Sequence, residues 1–127
     1  FFRRWVNDIE PTLMDAVVVT EWPASQAALA QVRTDGEWPT ACRFEVYYRG
    51  VELANAFFEV IDSHEQRLRF LAANVARAAA GEPPHPIDEA FIEAVGTMPT
   101  TAGIALGVDR LVAALAGWDG IANGRCD

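Results

Sequence analysis

The sequence feature that most constrains the fold is the apolar stretch RFEVYYRGVELANAFFEVID, from Arg43 to Asp62. The segments Arg43 to Tyr48 and Val51 to Ile61 are rich in β-branched and aromatic residues, which favour strands. Between them, Arg49 and Gly50 form a two-residue connection of the kind that joins antiparallel strands. The sequence therefore predicts a β-hairpin here.

Four polar side chains interrupt this hairpin: Glu45, Glu52, Asn55 and Glu59. Because side chains alternate along a strand, Asn55, Phe57 and Glu59 are predicted to share one face. Glu52 has the opposite parity and joins that face only if a β-bulge intervenes. Glutamates of an antiparallel sheet most often face water, whereas buried carboxylates need a partner such as a ligand ammonium or a metal ion. Spacing alone leaves both interpretations open.

A second informative segment is GIALGVDRLVAAL, from Gly103 to Leu115. It predicts a buried, glycine-punctuated strand that runs into a helix from Asp109 to Trp118, with Leu111, Val112 and Leu115 facing inward. Arg110 in the first turn of this helix is able to stack on an adenine or to bind phosphate, although a salt-bridged arginine at a helix start is the usual structural role. The glycine spacing fits neither a Walker loop nor a dinucleotide-binding motif.

The rest of the chain adds helices and one further strand. An amphipathic helix is predicted near the start, followed by a strand from Ala16 to Thr20 and a loop from Glu21 to Ala30. The longest helix begins at an Asp62 or Ser63 cap and ends at Gly81. A second helix ends at Gly96 and is expected to turn three apolar side chains inward, those of Ile87, Phe91 and Val95. We therefore expect an α+β fold, an antiparallel β-sheet flanked by helices.

Composition restricts the possible functions. The 127 residues carry a formal net charge of -8, which argues against broad nucleic-acid binding because that affinity comes from basic side chains. The apolar runs are too short to span a bilayer and no signal peptide is visible, so we expect a cytoplasmic protein without membrane association. Cys42 and Cys126 have neither disulfide-framework nor zinc-site spacing, and we expect two free thiols.

Two motifs carry a resemblance to a known family. GIALGVDRL is similar to motif 3 of class II aminoacyl-tRNA synthetases, and the Arg43 to Asp62 hairpin resembles that of the lysine-specific branch. WPASQAALA at Trp22 to Ala30, PPHPIDEAFIEAV at Pro83 to Val95, and Ala105 resemble the short relatives that ligate lysine or β-lysine to elongation factor P. The resemblance covers about residues 1 to 117.

The resemblance implies roles for individual residues. Glu45 and Glu52 would hold the Mg²⁺ ions of the substrate ATP, and Arg110, with Gly107 beside it, would contact the ATP as a catalytic residue. The amino-acid pocket would be lined by Asn55, Phe57, Glu59 and Ala105. The implied reaction is activation of lysine or β-lysine as an adenylate and its transfer to elongation factor P, with tRNA an improbable partner.

The match also departs from the family pattern, because motifs 1 and 2 are not found among these residues. We therefore expect residues 1 to 127 to be the C-terminal portion of a class II synthetase-like catalytic domain, inactive alone. The alternative is a non-catalytic module, derived from the synthetase fold, that binds lysine or forms oligomers. Apolar sheet edges exposed by the missing part predict a homo-oligomer.

Overall fold

The computed structural model describes residues 1–124 and has an α+β architecture with antiparallel sheets, which confirms the predicted fold class. The strands are β1 (Val17–Val19), β2 (Trp22–Pro23), β3 (Val32–Arg33), β4 (Thr40–Ala41), β5 (Arg43–Tyr48), β6 (Val51–Phe58) and β7 (Ala102–Leu106). The helices are α1 (Phe2–Arg4), α2 (Ser63–Ala79), α3 (Glu89–Val95) and α4 (Val108–Ala116).

The main sheet has the order β1-β5-β6-β7, and every neighbouring pair is antiparallel. The predicted hairpin is confirmed, with β5 and β6 joined through Arg49 (φ +52°) and Gly50 (φ +69°). Positive φ at both central residues is the geometry of the tight turn whose twist matches that of paired strands. The hairpin therefore forms the centre of the sheet.

A β-bulge interrupts the pairing of β5 with β6. Val46 is paired with Ala54, but the next residue, Tyr47, is paired with Glu52. Leu53 is thus the extra residue, and its carbonyl oxygen accepts a hydrogen bond of 2.9 Å from the backbone N–H of Gly107. The bulge is tied in this way to the residue that precedes α4.

Helix α2 begins at the predicted Asp62 cap, whereas α3 begins at Glu89, so Ile87 precedes the helix in which the sequence placed it. The Asp62 carboxylate accepts hydrogen bonds from the backbone N–H groups of His64 and Glu65 at the start of α2, and that of Asp88 accepts from Phe91 N–H. The prediction that Phe91 faces inward is wrong. Its ring is 43% exposed and stacks on Phe70 of α2 at 6.0 Å, because residues 92 and 95 supply the buried positions of this short helix.

The prediction of a buried β7 is wrong, as is the inward orientation of two α4 side chains. Ile104 of β7 is 62% exposed, and Val112 and Leu115 of α4 are 48% and 78% exposed. β7 is the last strand of the sheet, and Ala113 is the buried residue of α4. Periodicity identified a helix and a strand here, but no other described element covers these apolar side chains.

The N-terminal region folds onto the β1 and β5 side of the sheet. α1 continues as a π-helix (Trp5–Ile9) and a 3-10 turn (Glu10–Thr12). The predicted loop from Glu21 to Ala30 contains the short strand β2, which forms a small second sheet of order β2-β4-β3 with two strands that follow the loop. Trp5 packs there against the buried cluster of Trp22, Ala27 and Ala41.

Two further predictions concern membrane-spanning helices and the cysteines. No helix within residues 1–124 is long and apolar enough to cross a membrane. Cys42 is a free thiol, whereas Cys126 lies outside the described residues.

Candidate functional site

The predicted site residues of the sheet lie on one face of it, which we call the site face. Directly paired residues of antiparallel strands point to the same side, so the register gives the members of this face. They are Arg43, Glu45 and Tyr47 of β5, Glu52, Asn55 and Phe57 of β6, and Gly103 and Ala105 of β7. The bulge at Leu53 turns Glu52 to this face, which spacing alone had left undecided.

Glu45 is the most buried acidic residue of the site face, with 5% of its surface exposed. Arg43 Nη2 donates to its Oε1 atom, and the Tyr47 hydroxyl donates to its Oε2 atom. A buried carboxylate is tolerated when charge-assisted hydrogen bonds of this kind replace water. Burial, followed by the hydrogen bond to Glu45, raises the pKa of Tyr47, which therefore keeps its proton for that bond.

Arg43 lies between two aromatic rings. Its guanidinium carbon is 4.8 Å from the centre of the Trp22 ring and 5.4 Å from that of Phe57. Its Nη1 atom also donates to the backbone oxygen of Gln26 at 2.5 Å. Stacking and hydrogen bonding together fix the plane of the guanidinium group.

Glu52 and Arg110 meet at the other end of β6. Arg110 Nη1 donates to the backbone oxygen of Glu52 at 3.0 Å and lies 3.8 Å from its Oε2 atom. Burial raises the pKa of Glu52, as does the negative charge of Glu45, while Arg110 lowers it. The structure therefore brings Glu45, Glu52 and Arg110 into one electrostatic cluster.

Glu10 belongs to the same cluster, although the sequence did not indicate it as a site residue. Its pKa is raised by burial and then by the charge of Glu45, and lowered by Arg110. Glu10 lies in the helical N-terminal segment, more than thirty positions before the hairpin. No local pattern could have revealed this proximity.

Tyr47 and Arg43 were also missed as partners of Glu45. Both are two positions from it in the same strand, so strand alternation places all three side chains on one face. That signal was available in the sequence.

The Glu45 and Glu52 pair fits the predicted Mg²⁺ role in its donor chemistry. Two carboxylates at neighbouring strand positions repel each other, and a divalent cation relieves that repulsion. Mg²⁺ is commonly bound through one or two carboxylates, with water and substrate phosphate supplying the other oxygens. Within residues 1–124, no group of three or more acidic, histidine or cysteine side chains forms a metal site. The candidate for this role is thus the pair of carboxylates that the resemblance implies.

Asn55, Phe57 and Ala105 are neighbours in the middle of the site face. Asn55 is paired with both Glu45 and Ala105 across the strands. Among the described residues, the buried Asn55 Oδ1 atom has no hydrogen-bond partner. Because buried polar atoms are nearly always satisfied, this oxygen is suited to receive a donor from a ligand.

Glu59 follows β6 and reaches the site face beside Gly103. Its Oε1 atom would lie 2.9 Å from a Cβ atom at Gly103, closer than a methyl group permits. Its backbone N–H donates to the Thr101 oxygen at 2.9 Å, and Glu59 forms an isolated bridge with Ala30. The backbone on both sides of this carboxylate is thus held in place.

Glu59 and Arg110 therefore lie at opposite ends of one face and not on opposite sides of the molecule. Glu52, which Arg110 contacts, is seven positions before Glu59, which at about 3.3 Å per residue amounts to roughly 20 Å. A face of this length has room for an amino acid and a nucleotide placed end to end.

Gly107 shapes the Arg110 end of the site face. It is the N-cap residue of α4, and a Cβ atom there would lie 3.3 Å from Arg110 Cδ. The absence of a side chain lets the arginine fold back over the sheet towards Glu52. The predicted contact of Gly107 with ATP stays a prediction.

The family model for class II tRNA synthetases (D, K and N) matches residues 3–124. The match includes the hairpin, the bulge and the strand-to-helix junction that form the site face. The chain thus belongs to the class II tRNA synthetase family of the D, K and N group.

Proposed function

We propose that this chain provides the lysine-binding and metal-binding part of an ATP-dependent ligase. The ligase activates lysine or β-lysine as an adenylate and transfers it to elongation factor P. The carrying observation is the convergence of an acidic pair, an unsatisfied amide oxygen, an aromatic ring and a second carboxylate on one face of one sheet. Membership of the synthetase family supports the ligase chemistry, and the motif resemblance supports the choice of amino acid and acceptor.

The amino acid is placed at the Glu59 end. Glu59 pairs with the side-chain ammonium of lysine or with the second amine of β-lysine. Phe57 flanks the aliphatic chain, Ala105 forms the floor, and Asn55 accepts a hydrogen bond through its free Oδ1 atom. An uncharged amino acid would leave the Glu59 carboxylate without a cationic partner, so this contact selects for a basic substrate.

The nucleotide is placed at the Arg110 end. Arg110 acts as the catalytic residue, because its guanidinium group is able to bind a phosphate oxygen. The hydrogen bond from Arg110 to the Glu52 backbone oxygen holds that group in position. Glu45 and Glu52 hold Mg²⁺, which, when bound, neutralises charge on the phosphates of the substrate ATP.

The reaction follows from this placement. The carboxylate of the amino acid attacks the α-phosphate of ATP, the aminoacyl adenylate forms and pyrophosphate leaves. A lysine amine of the acceptor then attacks the adenylate carbonyl, and AMP leaves. The residues of this chain orient the two substrates and supply fixed charge, which is how most of the barrier to such transfers is lowered.

The acceptor is proposed to be a protein and not a tRNA. The net charge of -8 gives little electrostatic attraction for a polyanion. A protein acceptor with a basic surface around its target lysine would instead be attracted to this chain.

The first test is titration calorimetry with lysine and β-lysine. Wild-type chain should bind one of them, and Glu59→Gln should lose at least tenfold in affinity, because it removes the charge and keeps the shape. Glu37→Gln, at an exposed loop position, is the matched control and should bind as the wild type does. Equal affinity in wild type and Glu59→Gln would remove the amino-acid role of Glu59.

The second test separates a ligase from a lysine-binding module. Amino-acid-dependent exchange of labelled pyrophosphate into ATP reports adenylate formation. Exchange that is lost in Arg110→Ala supports the ligase. Lysine binding without any exchange overturns adenylate formation by these residues alone and leaves lysine binding as their activity, as in the non-catalytic module.

A further inference from the structure

The Glu45 carboxylate is held by more groups than a surface acid needs. Arg43 donates to one oxygen and Tyr47 to the other. Tyr47 is in turn fixed, because Trp5 Nε1 donates to its hydroxyl oxygen at 3.0 Å. The proposed function uses Glu45 but assigns nothing to these three neighbours.

The hydrogen bonds are donated in one direction, from Trp5 to Tyr47 and from Tyr47 to Glu45. Indole N–H can only donate, so the Tyr47 oxygen accepts from Trp5 and its own proton points to Glu45. Tyr47 is 2% exposed, and its ring packs 6.0 Å from that of Trp5. Burial and the incoming bond leave the hydroxyl proton a single orientation.

We propose that Tyr47 is a positioning residue for Mg²⁺ binding, assisted by Trp5 and Arg43. It fixes the Glu45 carboxylate in the rotation at which the remaining lone pair of each oxygen is free for the ion. This inference rests on the metal role that the proposed function gives to Glu45. It goes beyond that role, because Tyr47 itself never touches the ion or the nucleotide.

Tyr47 and Arg43 act differently on the same carboxylate. A carboxylate oxygen has about two acceptor directions, so one hydrogen bond on each oxygen leaves one direction on each. Arg43 neutralises Glu45, and its positive charge also opposes an approaching cation. Tyr47 orients the carboxylate without adding charge. Removing its hydroxyl therefore tests the effect of carboxylate orientation without changing the charge of the site.

The test is a titration with Mn²⁺ alone, as a paramagnetic probe of Mg²⁺ sites, followed by electron paramagnetic resonance of the free ion. Loss of a hydrogen-bond partner of a metal ligand typically weakens affinity 10- to 100-fold, so Tyr47→Phe should weaken Mn²⁺ binding by about tenfold or more. Tyr48→Phe is the matched control. Its ring lies on the other face against Arg49, 5.2 Å from the guanidinium carbon, and Mn²⁺ affinity should not change.

Lysine calorimetry on the same Tyr47→Phe protein distinguishes positioning from loss of fold. Unchanged lysine affinity with weakened Mn²⁺ binding supports the proposal. Should this variant not fold, Trp5→Phe is the second test, since it keeps an aromatic ring at this position and removes the donor to Tyr47. It should weaken Mn²⁺ binding about two- to threefold, a smaller effect than direct loss of the partner.

The outcomes separate this inference from the function on which it rests. Equal Mn²⁺ affinity in wild type and folded Tyr47→Phe overturns the positioning role and leaves the metal role of Glu45 intact. Equal affinity in Trp5→Phe does the same where Tyr47→Phe does not fold. Absence of Mn²⁺ binding to the wild type overturns the metal role itself, and the positioning role with it.

Discussion

Glu59 lies directly against Gly103 on the site face: its Oε1 atom is only 2.9 Å from the point that a Cβ atom would occupy at position 103. Gly103→Ala should therefore push the Glu59 carboxylate aside and weaken lysine binding several-fold in calorimetry. Gly36→Ala is the control, because its nearest neighbour would be 3.8 Å away. Unaltered lysine affinity in Gly103→Ala would show that the position of Glu59 beside Gly103 is irrelevant to binding.

The hairpin turn allows a test of backbone strain against steric contact. Gly50 and Gly81 both have positive φ, +69° and +77°, which costs an L-residue about 1–2 kcal/mol. A Cβ atom at Gly50 would also lie 3.3 Å from Pro11 Cα, whereas nothing lies within 4 Å at Gly81. Both alanine variants should lose stability in urea unfolding, and Gly50→Ala should lose more. Equal losses would show that the Pro11 contact relaxes freely.

The raised pKa of Glu10 predicts a pH-dependent stability effect. The folded state favours the protonated form of this side chain, so its contribution to stability is present below the unfolded-state pKa and is lost as pH rises through the folded-state pKa. At pH 7 the charged form is therefore unfavourable, and Glu10→Gln should melt at a higher temperature than wild type.

That advantage should shrink on acidification, as wild-type Glu10 takes up its proton. Thermal melts at several pH values, with a chelator present to keep metal ions out, measure both parts of the effect. A Glu10→Gln variant that is less stable at pH 7 would mean that attraction to Arg110 outweighs burial and repulsion.

Exposed apolar side chains on the sheet face opposite the site face lead us to expect self-association. Phe44, Phe58 and Ile104 are exposed there by 37%, 37% and 62%, beside an open apolar groove of about 410 Å³. We expect sedimentation velocity to show a concentration-dependent oligomer, and Ile104→Lys to shift it towards monomer. Val75→Lys, at a 71% exposed position of α2, should leave the distribution unchanged. A monomer at all concentrations would remove the expectation of a homo-oligomer.

The parts of the fold that sequence reasoning predicts well are those decided by neighbours along the chain. The Arg49-Gly50 turn requires residues that tolerate positive φ, and the Asp62 cap requires a short polar side chain before an amphipathic run. Each of these requirements lies within a few residues. The hairpin, the longest helix and the strand-to-helix junction were therefore predictable.

Burial in β7 and α4 was predicted less well, because it depends on what packs from elsewhere. Ile104 and Leu115 have the spacing of core residues. That spacing does not tell which residues cover the apolar side chains, and none of the described residues buries these two. The proximity of Glu10 to Glu45 is likewise a product of tertiary packing.

Leu53 shows that the site depends on a count of residues as well as on their identities. If Leu53 were paired regularly instead, strict alternation along β6 would turn Glu52 to the apolar side of the sheet, away from its acidic neighbour. The same residue accepts the hydrogen bond that holds Gly107. Deletion of Leu53 is thus a more severe change to this protein than its substitution, since the lost residue takes with it the backbone oxygen to which the start of the arginine-bearing helix is tied.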